Sequence, residues 1–442
     1  MTIEKDQRVA RVGCSGDEEG RRPPSGETRE GRPRTECSRP GADVGLLTGG
    51  GDKPYALGLA SALIAQGISL DFIGSDEVDG PELHDTFQVN FLNLRGDQRP
   101  DANRLRKALR VLAYYWRIMR YAATARPKVF HLLWNNKFEF FDRTVLMLYY
   151  RLLGRKIAFT AHNVNAGKRD GNDSFFNRLS LKIQYRLSDH IFVHTEKMKR
   201  ELVAEFAVPE SRVSVIPFGI NNTVPDSALT TEEAKRTLGV THQNKTLLFF
   251  GNIAPYKGLE YLIASFAALA RECDDYRLII AGRPKNCEQY WDEVQQTMTR
   301  SGVRNRIIER IEYIPDAKVE VYFKAADVLI LPYSHIFQSG VLFLGYSFGL
   351  PIIAADVGSL REDIIEGKTG FLFGPGDSAD LAKAIKTYFS SNLFQDLENK
   401  RQEIRDYAND RHSWAKAGEI TKKVYQPLLG ENSPNFARAA RP

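Results

Sequence analysis

The chain has 442 residues, room for two or three domains of about 100–200 residues each, and a 43% hydrophobic content that excludes a wholly disordered polymer. Sixty-one Lys and Arg against 55 Asp and Glu leave a formal charge of +6, too mild to imply nucleic-acid binding unless it is clustered. The most apolar stretch, Val145 to Phe159, is broken by Arg151, Arg155 and Lys156, so no window approaches the run of about 18 apolar residues that a membrane span needs.

Residues 1–42 are rich in Arg, Glu, Gly, Pro and Ser, lack aromatic residues and show no periodicity, so a disordered tail is expected, with a docking arm as the functional alternative. The N-terminus also lacks the apolar core of a leader. The four cysteines (Cys14, Cys37, Cys273, Cys287) have neither metal-ligand nor redox spacing. The cytoplasm is the expected compartment, with thiols reduced.

From Asp43 short apolar runs alternate with amphipathic stretches, the pattern of a parallel sheet built from βαβ units. Strands are predicted at Val44–Thr48, Leu70–Ile73, Val89–Leu94, Val129–Leu133, Ile157–Ala161 and His190–Val193, after which Val213–Pro217 leads into a turn-rich linker. The pattern restarts at Leu247–Phe250, Leu278–Ala281, Ile307–Ile311, Val328–Leu331 and Ile352–Ala355. The expected fold is α/β: two tandem Rossmann-like, doubly wound parallel-sheet domains (43–220 and 221–410) facing a cleft, with C-terminal helices in 411–442. Ligands in such sheets sit outside the carboxyl ends of the strands.

Several segments fall at such ends. Gly49-Gly50-Gly51 after the first strand would let backbone N–H groups approach an anion, with Gly50 and Gly51 nearest the following helix; a plain tight turn is the alternative. Between Arg104 and Lys128, Leu105, Leu109, Leu112, Trp116 and Met119 share one helical face, and Arg106, Arg110, Arg117 and Arg120 another. Such a helix can lie on an anionic membrane surface or pack on its own sheet. His162-Asn163 ends a strand at the cleft mouth, where an imidazole could bond a sugar hydroxyl, move a proton or satisfy loop backbone. His190 and His194 lie four apart on a strand, the wrong geometry for a metal pair, and are read as structural.

In the second half, Gly251-Asn252 leads to Lys257-Gly258 just before a helix, a position suited to neutralising a diphosphate leaving group. Gln338-Ser339-Gly340-Val341 opens another helix that would suit a second contact to the same phosphates. Glu362 is the acidic residue expected to face the cleft, a plain surface glutamate being the alternative.

These segments, with Val215-Ile216-Pro217-Phe218-Gly219, Phe249 to Gly258, Ile280-Ala281-Gly282, Ala326-Asp327-Val328, Gly349-Leu350-Pro351-Ile352-Ile353-Ala354, Gly358 to Glu362 and Thr369-Gly370-Phe371, resemble the GT-B glycosyltransferases, family 4 above all, from Val44 to Tyr425. The resemblance implies glycosyl transfer from a nucleoside-diphosphate sugar held by the second domain to an acceptor on the first. It gives Lys257 the diphosphate, Gly282, Arg283, Tyr313 and Ile314 the base, Ser339, Gly340 and Val341 the donor phosphate and sugar, and His162 the donor sugar. It implies no metal ion and no tightly bound cofactor. It also likens Ser413-Trp414 and Tyr425 to the family's last helices, which brace the first domain.

Two features depart from the family pattern. Ile336 and Leu344 stand where a pair of glutamates is usual, and Asn252 and Ala254 occupy the region of an expected arginine. The chain is therefore read as a hexosyltransferase-type enzyme with His162, Lys257 and Glu362 as its catalytic set and Lys53, Asn163 and Asp170 as weaker acceptor contacts. Its expected setting is cell-surface polysaccharide or glycolipid assembly, with a glycan, glycolipid or other hydroxyl acceptor, no nucleic-acid partner, and a peripheral place on the anionic inner face of the membrane. The alternatives are a non-catalytic sugar-nucleotide-binding scaffold and a sugar-nucleotide epimerase on the same fold.

Overall fold

The computed structural model describes residues 41–49, 53–98, 103–169, 173–220, 224–285, 287–336 and 338–430. Gly50, Gly51 and Asp170, and all but the end of the 1–42 segment, lie outside them.

The chain builds two all-parallel sheets. The first contains β1 Val44–Leu47, β2 Leu70–Gly74, β3 Val89–Asn93, β4 Val129–Leu132, β5 Lys156–Thr160, β6 His190–Val193 and β7 Val213–Val215, in the order β3-β2-β1-β4-β5-β6-β7. The second contains β8 Lys245–Phe250, β9 Tyr276–Ala281, β10 Ile307–Arg310, β11 Val328–Leu331, β12 Ile352–Ala355 and β13 Gly370–Phe373, in the order β10-β9-β8-β11-β12-β13. Strand order reverses beside β1 and β8, which opens the crevice of a doubly wound sheet at the carboxyl ends of those two strands. Most strands are apolar runs because helices cover both faces: β1, β2, β4, β11 and β12 are buried throughout.

β13 was not expected as a strand. A Cβ at Gly370 would lie 1.9 Å from Ile352 O, so glycine lets this edge strand close onto β12.

The sequence left open how the Arg104–Thr124 helix packs. Its packed face is Tyr114, Tyr115, Ile118 and Ala122, whereas Leu105, Leu109, Leu112 and Trp116 point outward, 58 to 70% exposed. The last helix, Trp414–Leu429, returns to the first domain and lies along the Lys53–Ala65 helix. There a Cβ at Gly58 would meet the Trp414 indole at 2.2 Å, and Tyr425 Oη stands 2.6 Å from His131 Nδ1. Among the described residues no helix is long and apolar enough to cross a membrane.

Candidate active site in the interdomain cleft

Lys257 ends the 3-10 turn Pro255–Lys257 that follows β8. Gly258 comes next at φ +63, and a Cβ there would lie 2.0 Å from Pro332 O, so glycine allows this turn to press against the loop after β11. The turn carries Lys257 to the wall of a cavity of about 410 Å³. The side chain is 6% exposed and Nζ lies 5.2 Å from the centre of the Tyr333 ring. It makes no ion pair with a described carboxylate, and burial lowers its pKa from the usual lysine range. A partly desolvated ammonium without a counter-charge is a strong attractor for an anion.

Ser339 faces it across the same ring: its buried Oγ is 3.2 Å from Tyr333 Oη. Ser339 precedes the Gly340–Ser347 helix, and a Cβ at Gly340 would meet nothing within 4 Å, so the first N–H groups of that helix open into the cavity. Gln338 lines the same wall and its Oε1 has no hydrogen-bond partner. Val341, Ile336 and Leu344 complete this side. The two apolar residues at the glutamate positions therefore face the cavity itself.

Asn252 and Leu344 also border a second cavity of about 350 Å³, lined by Gly251, Gly282, Arg283, Tyr313 and Ile314. The loops after β8 and β9 touch closely there: Gly282 sits at φ +146, and a Cβ on it would lie 1.9 Å from Gly251 O. Arg283 lies 5.5 Å from the centre of the exposed Tyr313 ring, a cation–π pair that borders the groove. One continuous trough thus runs from an aromatic-rimmed groove to a cationic end.

The first domain contributes Pro54 and Tyr55, and the crossing segments contribute Phe218, Gly219 and Trp414. His162 stands directly behind this wall. Its ring stacks on Trp134 at 4.3 Å with 5° between planes and meets Tyr55 edge-on at 4.6 Å. His162 Nδ1 is 3.0 Å from His194 Nε2, while His194 Nδ1 is 3.3 Å from Ile216 O. Because a carbonyl only accepts, His194 donates from Nδ1, leaving its Nε2 to accept from His162 Nδ1–H. His162 Nε2 is then a lone-pair acceptor, and it has no partner.

Glu362 does not line either cavity; its Oε1 accepts from the N–H of Lys197 across the domain interface at 3.3 Å. Beside it Thr195 Oγ1 and Ser359 Oγ are 2.8 Å apart, and Lys197 Nζ donates to Gly358 O at 2.7 Å. Lys53 and Asn163 are half-buried and off the cavity walls. Sequence reasoning did not single out Tyr55, Phe218, Tyr333 or Trp414 as walls of the cleft. Their only local signal was proximity to the glycine turns and to the Ser413-Trp414 pair.

Two Rossmann-like domains, with a cationic and helix-terminal cradle at the carboxyl edge of the second, define a GT-B glycosyltransferase. Residues 49–223 match the family model for glycosyltransferase family 4, and residues 244–391 that for glycosyl transferases group 1. The chain belongs to this family. Among similar proteins, the D-inositol 3-phosphate glycosyltransferase of Corynebacterium glutamicum is 25% identical over 87% of this chain and 93% of its own. Its namesake from Corynebacterium diphtheriae is 27% identical over 61% of this chain and 64% of its own. Among solved structures, sucrose-phosphate synthase from Thermosynechococcus elongatus superposes with a TM-score of 0.69 at 19% identity, covering 88% of this chain and 96% of that one. Anabaena HepE, solved with UDP and glucose, gives 0.66 at 18%, covering 87% and 99%.

Proposed function

We propose that this glycosyltransferase moves a hexose from a nucleoside-diphosphate sugar to a hydroxyl of a glycan or glycolipid acceptor in cell-surface assembly. The observation that carries the reading is the uncompensated Lys257 ammonium facing the open Gly340 helix start, at one end of a trough whose other end is bordered by Arg283 and Tyr313. When the bond from the sugar's anomeric carbon to the phosphate oxygen breaks, negative charge grows on the diphosphate. Lys257, the Ser339 hydroxyl and the N–H groups of Gly340 and Val341 would stabilise it. His162 Nε2, buried behind the Tyr55 wall and without a partner, would accept a hydroxyl hydrogen bond from the donor sugar once that wall moves aside, fixing the sugar's orientation for attack by the acceptor oxygen. Gly50 and Gly51 are proposed to approach the phosphates from the first domain. In this reading Glu362 serves the domain interface and reaches the donor only if that interface rearranges. HepE, which was solved with UDP, supports a nucleotide of this type as the donor carrier.

The same reading places the enzyme against an anionic membrane face from the cytoplasmic side. The Arg104–Thr124 helix has six basic residues and no acidic one, and it turns its leucines and Trp116 outward. Phe138, Phe140, Leu148 and Leu152, in the neighbouring segment, and Phe175 and Phe176 are exposed as well. Apolar side chains flanked by cations suit insertion at a headgroup boundary.

Thermal shift against UDP, GDP, ADP and dTDP tests the donor site. One nucleotide should stabilise the protein, and Lys257→Ala should abolish that shift. No shift with any of them would count against the donor site, whereas a shift without glycosyl transfer or donor hydrolysis with any acceptor would favour the scaffold reading.

A further inference from the structure

The Arg104–Thr124 helix carries two of its cations away from solvent. While Leu105, Leu109, Leu112 and Trp116 face outward, Lys107 and Arg110 are partly buried and turn toward the body of the domain. There they line a cavity of about 290 Å³ together with Arg95, Lys137 and Tyr114. That size is close to the lower end of small-molecule sites, about 300 Å³.

Four cations converge on this space, and none makes an ion pair with a described carboxylate. Asp142 interacts electrostatically with Arg95. Its Oδ1 accepts from Tyr115 Oη at 2.9 Å and its Oδ2 from Asn136 N at 2.8 Å, and burial raises its pKa, which weakens it as a counter-charge. The Arg95 guanidinium is held 5.1 Å from the centre of the Tyr114 ring, yet its buried Nη1 has no hydrogen-bond partner. Tyr114 is itself fixed, its Oη donating to Asn136 Oδ1 at 2.6 Å. A buried guanidinium nitrogen left unbonded is costly unless a ligand completes it.

The location gives the cavity a purpose. Arg95 follows β3 and Lys137 follows β4, so it opens on the carboxyl edge of the first sheet, the edge that also carries His162. Trp134, which stacks on His162, is three residues from Lys137, a chain span of at most about 11 Å. A molecule with a hydroxyl near the donor sugar could place an anionic group here without crossing the domain.

We infer that this cavity binds a phosphoryl group of the acceptor. The inference rests on the glycosyl-transfer reading for the word acceptor, but the anion site itself does not depend on it. Arg95 supplies a planar donor fork, and Lys107, Arg110 and Lys137 supply point charges, a set matched to a phosphate dianion. The phosphate belongs either to a soluble sugar phosphate or to a lipid whose chains lie along the exposed helix.

The test uses the full chain, with two variants, Arg95→Gln and the doubly substituted Lys107→Gln/Lys137→Gln. The second changes cations on the cavity rim and guards against a folding defect from the first. Calorimetric titration compares glucose 6-phosphate with glucose, and sedimentation compares phosphatidic acid vesicles with phosphatidylcholine vesicles. Removing a cation that bonds the phosphate should weaken binding by about tenfold or more. Preference for glucose 6-phosphate that both variants lose assigns a soluble acceptor. Preference for phosphatidic acid vesicles that both variants lose assigns a lipid phosphate. Binding of either probe that is unchanged in the variants, or no binding of either by the wild type, overturns the inference. Nucleotide thermal shift is measured on the same samples: it stays constant if only the anion site is altered, whereas failure of the donor reading shows there and not in the phosphate titration.

Discussion

His194 Nε2 lies 3.0 Å from His162 Nδ1, and this contact between residues 32 apart in sequence fixes the protonation of both rings. They meet because β5 and β6 are adjacent and parallel, so the residues just past their carboxyl ends fall side by side. His194 cannot take a second proton at Nε2 without breaking this contact, and burial lowers both pKa values, that of His194 to about 4. In the unfolded chain the same ring titrates near 6.5. The sign follows directly: the unfolded state binds the extra proton first, so this stability is complete above about pH 6.5 and is lost as pH falls toward about 4. For His194 alone the loss is on the order of 3 kcal/mol. Thermal melts between pH 7 and 4.5 should show a shallower pH slope in His194→Asn than in the wild type. An unchanged slope would remove His194 from this role.

How far this arrangement was legible in the sequence depends on the range of the signal. Strand positions such as His190–Val193, Val328–Leu331 and Ile352–Ala355 were readable because a strand covered on both faces leaves an unbroken apolar run. β13 was not, because its pairing depends on a missing Cβ at Gly370 rather than on apolar side chains. The glycine turns and Lys257 were visible as local motifs at strand ends. The His162–His194 relay, the Tyr333 ring between Lys257 and Ser339, and the redirection of Glu362 toward Lys197 each join distant segments, which no local period encodes. The helix at Arg104 was legible only in part. Its amphipathic pattern was present, but pattern alone did not say which face would be packed.

Lys257 should separate catalysis from stability. Removing an oxyanion-type donor costs about 10²–10³ in kcat, so Lys257→Met should lose turnover by that factor. Burial lowers the Lys257 pKa, which means the ammonium is held less favourably in the folded apo-protein than in water. Replacing it with an uncharged chain of similar length should leave the apo melting temperature unchanged or raise it. A variant that melts lower and turns over normally would show that Lys257 is structural.

Two glycines in the trough should behave oppositely. At Gly282, φ is +146 and a Cβ would strike Gly251 O at 1.9 Å, so Gly282→Ala should destabilise the protein and separate the loops that border the base groove. The cost of such backbone strain is roughly 1–3 kcal/mol. At Gly340 the space for a Cβ is open. Gly340→Ala should therefore melt at or slightly above the wild-type temperature, since alanine restricts the unfolded chain. If phosphate oxygens approach this helix start as proposed, the added methyl group should still weaken nucleotide binding. Calorimetric titration with the stabilising nucleotide decides the matter, and undiminished affinity in Gly340→Ala would move the phosphates elsewhere.

The outward leucines and Trp116 leave a mark that folding alone does not require. Their replacement by charge removes little packing, because Ile118, Tyr114 and Tyr115 already anchor the helix from the other side. Leu109→Glu combined with Trp116→Glu should consequently preserve the melting temperature within about 0.5 kcal/mol of stability. The same change places two negative charges on a helix that has six basic residues and no acidic one, opposing the attraction to an anionic surface of about 1 kcal/mol per cation. In sedimentation with phosphatidylglycerol vesicles at low ionic strength, the wild type should pellet with the lipid and the doubly substituted protein should remain in the supernatant. Raising the salt should release the wild type in part, because screening weakens the charge term while the apolar contact persists. Equal recovery of both proteins in the supernatant at low salt would leave the exposed stripe without a lipid partner, and the placement of the enzyme at a membrane would fall with it.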